Sequence, residues 1–147
     1  TDGWENANII QLDVPAVARL RGASRTGRVR LHRDLRDPFL SLWDAWDRAG
    51  LLDRLLTWEG MFVPRFMRKT NAEDLRAANP RRLSNHSWGT AFDVNHPWNR
   101  LDTVPALLGQ QGCVRELVAL ANQHGFFWGG HFSSPRDGMH FEAGVRV

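Results

Sequence analysis

Ser84-Asn85-His86-Ser87-Trp88-Gly89-Thr90-Ala91-Phe92-Asp93-Val94-Asn95 breaks at Trp88-Gly89, and the residues after the break alternate. Thr90 to Asn95 has the period of two that a half-buried strand needs. Downstream, Pro97, Pro105, Gly109 and Gly112 make 96–112 a long connection. Val114, Leu117, Val118 and Ala121 then share one helical face up to His124, and Gly125 is a stop signal. Phe126 to Val147 reads as strand-like pieces around two Gly-rich turns.

Upstream, 69–83 is polar and Arg-rich, the pattern of a surface loop. Met61 to Met67 reads as extended chain, with Pro64 confining it to an edge or an end. Leu51 to Trp58 is ambiguous. Asp37 is the expected N-cap of a helix with Pro38 in its first turn; Phe39, Leu42, Trp43 and Trp46 fall at helical spacing up to Gly50. Val29-Arg30-Leu31-His32 alternates as a short strand. Residues 1–27, broken by Gly3, Pro15, Gly22 and Gly27, read as an irregular lead-in to a domain spanning 28–147. Helices and short strands in no regular alternation indicate an α+β class: a single domain with a small, mainly antiparallel sheet and flanking helices.

The 147 residues suffice for one hydrophobic core. Hydrophobic residues make up 42% and charged residues 24%, which argues against wholesale disorder. No apolar run approaches the ~18 residues of a membrane span, and the first residues lack a basic-then-apolar signal peptide. The chain opens on Thr1, so it is expected to be a processed product or a domain of something longer. The pI near 10.3 looks like a nucleic-acid signal but reflects composition. With 18 Arg, only Lys69 and no Tyr, little besides Cys113 and Lys69 titrates between about pH 8 and 12, so a net charge of +3 lifts the pI far upward. The Arg residues are interleaved with Asp, not clustered, and no nucleic-acid partner is expected. A mildly basic surface suits an anionic polymer. One cysteine excludes a disulfide framework, and Cys113 is expected to be a small buried side chain. Oligomeric state is not legible.

His86, Asp93 and His140 offer two imidazoles and one carboxylate, a set that serves zinc and leaves a fourth position for water. Asp137, three residues before His140, is a candidate base. Those two would face opposite sides of a regular strand, but Gly138 permits a turn or bulge through which they converge. On residue types alone a plainer reading stays open: Asp93 as a turn or cap residue, the histidines as surface or core groups, and Asp137 as a solvated loop charge. His32, His96 and His124 are expected at the surface or at helix ends. Trp43 and Trp46 fit a core helix face.

Ser84-x-His86-x-x-Gly89-x-Ala91-x-Asp93 together with Asp137-Gly138-Met139-His140-Phe141-Glu142 resembles the zinc-binding signature of the M15 peptidases. That family includes D-Ala-D-Ala carboxypeptidases, D,D-dipeptidases and L-alanyl-D-glutamate endopeptidases. Trp58-Glu59-Gly60-Met61-Phe62-Val63-Pro64-Arg65 and Gly125-Phe126-Phe127-Trp128-Gly129-Gly130 resemble the flanking segments, so the likeness covers roughly 28–143 in family order. It implies a hedgehog/DD-peptidase-like fold and one zinc per chain, held by His86, Asp93 and His140, with Asp137 as catalytic carboxylate. It also implies an arginine that binds the substrate carbonyl and stabilises the oxyanion. Arg65, directly after Phe62-Val63-Pro64, is the preferred position and Arg68 the competitor. Ser84, Trp128 and His131 are candidate substrate contacts, Trp88 is a candidate cleft residue, and Glu142, sharing strand parity with His140, is a candidate support for it. The implied reaction is hydrolysis of peptidoglycan stem peptides at the cell wall, by a periplasmic, secreted or phage-delivered protein. The alternative is a zinc-binding domain without turnover that recognises wall peptide or a protein partner, since the hedgehog signalling domain shares the fold and zinc site.

Overall fold

The computed structural model describes residues 2–63, 85–133 and 135–144. The loop 69–83, Arg65, Arg68 and Ser84 lie outside the described residues. Among the described residues, two antiparallel sheets and short helices form the α+β domain expected from the element pattern. The larger sheet has the order β3-β4-β6-β5, from Trp58–Gly60 (β3), Ala91–Val94 (β4), Phe126–Trp128 (β5) and His140–Ala143 (β6). The smaller sheet pairs Ile9–Asp13 (β1) with Arg28–His32 (β2). Among the described residues no helix is long and apolar enough to cross a membrane.

The lead-in is not irregular. Asp2–Asn8 is helical (α1), Ile9–Asp13 is strand β1, and Pro15–Ala18 forms a short helix (α2). Pro15 starts that helix instead of breaking a period. The strand partner of β1 is found 19 residues on, with Ile9 opposite His32 and Asp13 opposite Arg28, and local patterning carries no trace of such pairing. Val14, Val17 and Leu20 enter the main core.

The expected central helix is α3, Arg36–Arg48, with Phe39, Leu42, Trp43 and Trp46 buried on one face. It starts one residue before Asp37, because a 3-10 turn at Arg33–Leu35 leads into it. His32 caps that turn, its Nδ1 accepting the Asp34 N–H at 3.1 Å. His32 is therefore not a surface residue: it is 3% exposed, and burial lowers its pKa below the usual histidine value, in keeping with an acceptor nitrogen. At the other end Gly50 adopts φ 72°, its N–H reaches Asp47 O, and the Leu51 N–H reaches Trp46 O. This is a Schellman ending, in which the left-handed residue is most cheaply a glycine. Trp46 Nε1 donates to Leu117 O at 3.1 Å, tying α3 to the 3-10 turn Arg115–Leu117 that opens the last helix, Val118–Gln123 (α4).

β4 departs from the half-buried alternation expected of it, since all four of its residues are buried. It is an interior strand, with β3 on one side and β6 on the other. Phe92 lies at the centre of an aromatic cluster, stacked on Trp58 (6.0 Å) and Phe141 (5.5 Å) and edge-on to Phe39, Trp46 and Phe126. Asp93 points the other way, as the pleat requires, onto a face covered by the two histidines. The long connection expected at 96–112 opens on a 3-10 turn, His96–Trp98, and braces the C-terminal motif. The Asp102 N–H bonds to Arg136 O, and Gly138 packs so closely on Pro105 that a Cβ there would lie 2.8 Å from its ring carbons.

Candidate metal centre

Three pieces of chain deliver the metal-type side chains. His86 sits in a 3-10 turn, Asn85–Trp88, and Asp93 and His140 are direct partners across the β4–β6 ladder. Gly89 joins the turn to β4 with φ 68°, and a Cβ there would come within 2.7 Å of the His32 backbone nitrogen. Only a glycine lets the turn lie this close to β2, whose His32 N–H bonds Gly89 O at 3.0 Å.

His86 Nε2 is 3.0 Å and His140 Nδ1 is 3.1 Å from the same oxygen, Asp93 Oδ1. All three residues are buried, and their ligand atoms lie within 4.8 Å of one another. The outer nitrogens are anchored as well. His86 Nδ1 donates to the Met61 carbonyl at 2.9 Å, and His140 Nε2 donates to Glu142 Oε1 at 2.9 Å. With its outer nitrogen protonated, each imidazole aims an inner nitrogen at Asp93 Oδ1, so protons or a cation must lie between them. Anchored outer N–H groups are what metal-ligating histidines use to fix tautomer and ring orientation. The inner spacings are close to the edge of a tetrahedron with bonds of about 2.0–2.1 Å, so the residues fit zinc.

Burial opposes a charge on Asp93, but hydrogen bonds from His140 and His86 outweigh it and hold the carboxyl well below the usual range. Burial likewise opposes a charge on His140, yet its bonds to Asp93 and Glu142 and the charge of Asp137 raise it to about 10. The metal-free imidazole thus keeps its second proton at neutral pH, and a metal must displace it. Zinc binding is expected to release a proton, with apparent affinity rising about tenfold per pH unit below that value. Calorimetry in buffers of different ionisation enthalpy tests this; affinity equal at pH 6.5 and 8 would contradict it.

Asp137 and His140 converge as the Gly138 reading anticipates. The His140 N–H bonds back to Asp137 O at 3.1 Å, and the Asp137 N–H bonds Gly129 O at 2.9 Å. Asp137 Oδ2 lies 3.8 Å from His140 Nδ1, on a side chain 19% exposed, which puts it at the mouth of the cluster. Trp128 does not offer a face to substrate. It is 4% exposed, its Nε1 donates to Gly138 O at 2.8 Å, and it steadies the Asp137–His140 turn from below. His131 is exposed and sits edge-on to Trp128 at 5.0 Å. Trp88 is half-buried and packs against Trp4 at 5.4 Å. His124 ends α4 as expected, Nδ1 to Leu120 O at 2.8 Å, and His96 opens a 3-10 turn.

The sequence reading missed three contributors. The Met61 carbonyl is a backbone group and has no residue-type signal. Asn85, beside His86, donates to Glu142 Oε2 at 2.8 Å. Phe132, 38% exposed with its ring 6.0 Å from that of His140, flanks the cluster.

A family model described as D-alanyl-D-alanine carboxypeptidase, of the M15 peptidases, matches residues 77–143. Over those residues the chain is similar to that family. The match takes in His86, Asp93, Asp137, His140 and Glu142, and this similarity supports a peptidase. No curated protein and no solved structure matches the chain.

Proposed function

We propose that this chain is a zinc-dependent peptidase of M15 type that hydrolyses peptide bonds of peptidoglycan stem peptides at the cell wall, as a D-Ala-D-Ala carboxypeptidase or an L-Ala-D-Glu endopeptidase. One observation carries the reading: two anchored imidazoles and a carboxylate oxygen meet at a buried point with Asp137 at its mouth. Zinc, when bound, acidifies water toward a pKa of ~7 and polarises a carbonyl. Asp137 takes the proton of the attacking water and passes it to the leaving amine as the C–N bond breaks. The description of the matching family favours the carboxypeptidase. Incubating zinc-loaded protein with purified sacculi and analysing the products by mass spectrometry tests the proposal. Released D-alanine identifies the carboxypeptidase, and cleaved stem peptides the endopeptidase. Zinc binding with wall peptide retained and nothing released would replace the enzyme by a recognition domain.

The negative oxygen formed on attack calls for a second positive group, and a preset guanidinium needs no reorganisation as that charge grows. Arg65 is assigned this role. Arg65→Ala should lower kcat/KM by ~10²-fold or more with zinc retained, and Arg68→Ala by less than ~10-fold. The reverse order would transfer the role to Arg68, and two near-normal variants would remove it from both. Ser84 and His131 are proposed to contact substrate.

A further inference from the structure

The two histidines are supported differently, and the difference exposes a clamp that joins both motifs. His86 leans on a main-chain carbonyl, which substitution cannot remove. His140 leans on a side chain, Glu142, two residues along β6. Glu142 is itself held: while Oε1 accepts His140 Nε2–H at 2.9 Å, Oε2 accepts Asn85 Nδ2–H at 2.8 Å. Asn85 opens the turn that carries His86, and its own carbonyl is gripped by Thr90, through the hydroxyl at 3.1 Å and the N–H at 3.2 Å. Glu142 faces Ala91 across the ladder, one step on the same face from the Asp93–His140 pair.

We infer that Asn85 and Glu142 are positioning residues which lock the turn bearing His86 to the strand bearing His140, so that His140 Nδ1 is held at the point where it converges with Asp93 Oδ1. A carboxylate using both oxygens in this way has its rotamer fixed from two sides. Without Asn85 the carboxylate is free to rotate, and without Glu142 the His140 ring loses the partner that fixes its tautomer. The inference rests on the zinc reading above and adds to it the residues that preorganise the site.

The test is zinc affinity, read by competition with a chromophoric chelator, on wild type, Asn85→Ala, Glu142→Ala, Glu142→Gln and the Asn85→Ala/Glu142→Ala double variant. Glu142→Ala should weaken zinc about 10–100-fold, the usual scale for losing an outer partner of a ligand. Glu142→Gln keeps the shape and an oxygen acceptor, so it should recover most of that loss while guarding against a folding artefact. Asn85→Ala should weaken zinc less than Glu142→Ala, and the double variant should be no weaker than Glu142→Ala, because Asn85 acts through Glu142. Tight zinc binding by wild type with unchanged affinity in Glu142→Ala would overturn the clamp and leave the zinc reading standing. Additive losses in the double variant would overturn the coupling of Asn85. Failure of wild type to bind zinc would overturn both.

Discussion

On the proposed function, replacing His86 or His140 by alanine should abolish zinc binding and peptidase activity together. Each substitution removes one of the three proposed ligands, His86, Asp93 and His140, which among the described residues form the group able to hold a metal. The two variants should differ in their metal-free state. His86→Ala leaves the Met61 carbonyl without its imidazole donor, whereas His140→Ala releases Glu142, whose second oxygen still has Asn85. In both cases Asp93, 3% exposed, loses a donor to its buried Oδ1, at a cost of about 1.5–3 kcal/mol in the stability of the metal-free protein. Metal analysis, a peptide hydrolysis assay and urea unfolding in chelator check the three parts. A variant that keeps stoichiometric zinc would remove that histidine from the ligand set.

Asp137→Ala should keep its zinc and lose at least ~10²-fold in kcat, the usual scale for removing a general base. The separation follows from how the residue is held. Its backbone makes the turn, through the bonds Asp137 N to Gly129 O and His140 N to Asp137 O, and both survive truncation of the side chain. Its carboxylate stands 3.8 Å from His140 Nδ1, beside the cluster and not within the three-ligand set. Zinc content measured alongside kcat distinguishes a lost base from a lost metal. Full activity with bound zinc would take Asp137 out of the mechanism.

Much of the centre is legible in residue types, because strand pleating alone places Asp93 opposite Phe92, and Gly138 signals the turn that brings Asp137 beside His140. What local patterning lacks is long-range pairing. The Asp93–His140 register joins residues 47 apart, and the β1–β2 ladder draws an apparently irregular lead-in into a sheet. Trp128 misleads for a related reason: its position inside the motif suggests a cleft wall, while its indole N–H has a partner, Gly138 O, that only the folded turn supplies. The interior position of β4 likewise hides in a sequence that alternates as an outer strand would.

The division of β4 between Phe92 and Asp93 also bears on how faithfully the chain folds. Slipping this strand by one residue against β6 would drive the Asp93 carboxylate into the rings of Trp58, Phe39 and Phe141 and turn the Phe92 ring out among the imidazoles. The misaligned form would bury an uncompensated charge and forfeit the stacked pairs in the same step, so no partial credit accrues to it. The carboxylate that would help grip the metal thus also penalises a slipped alignment of β4, with or without zinc.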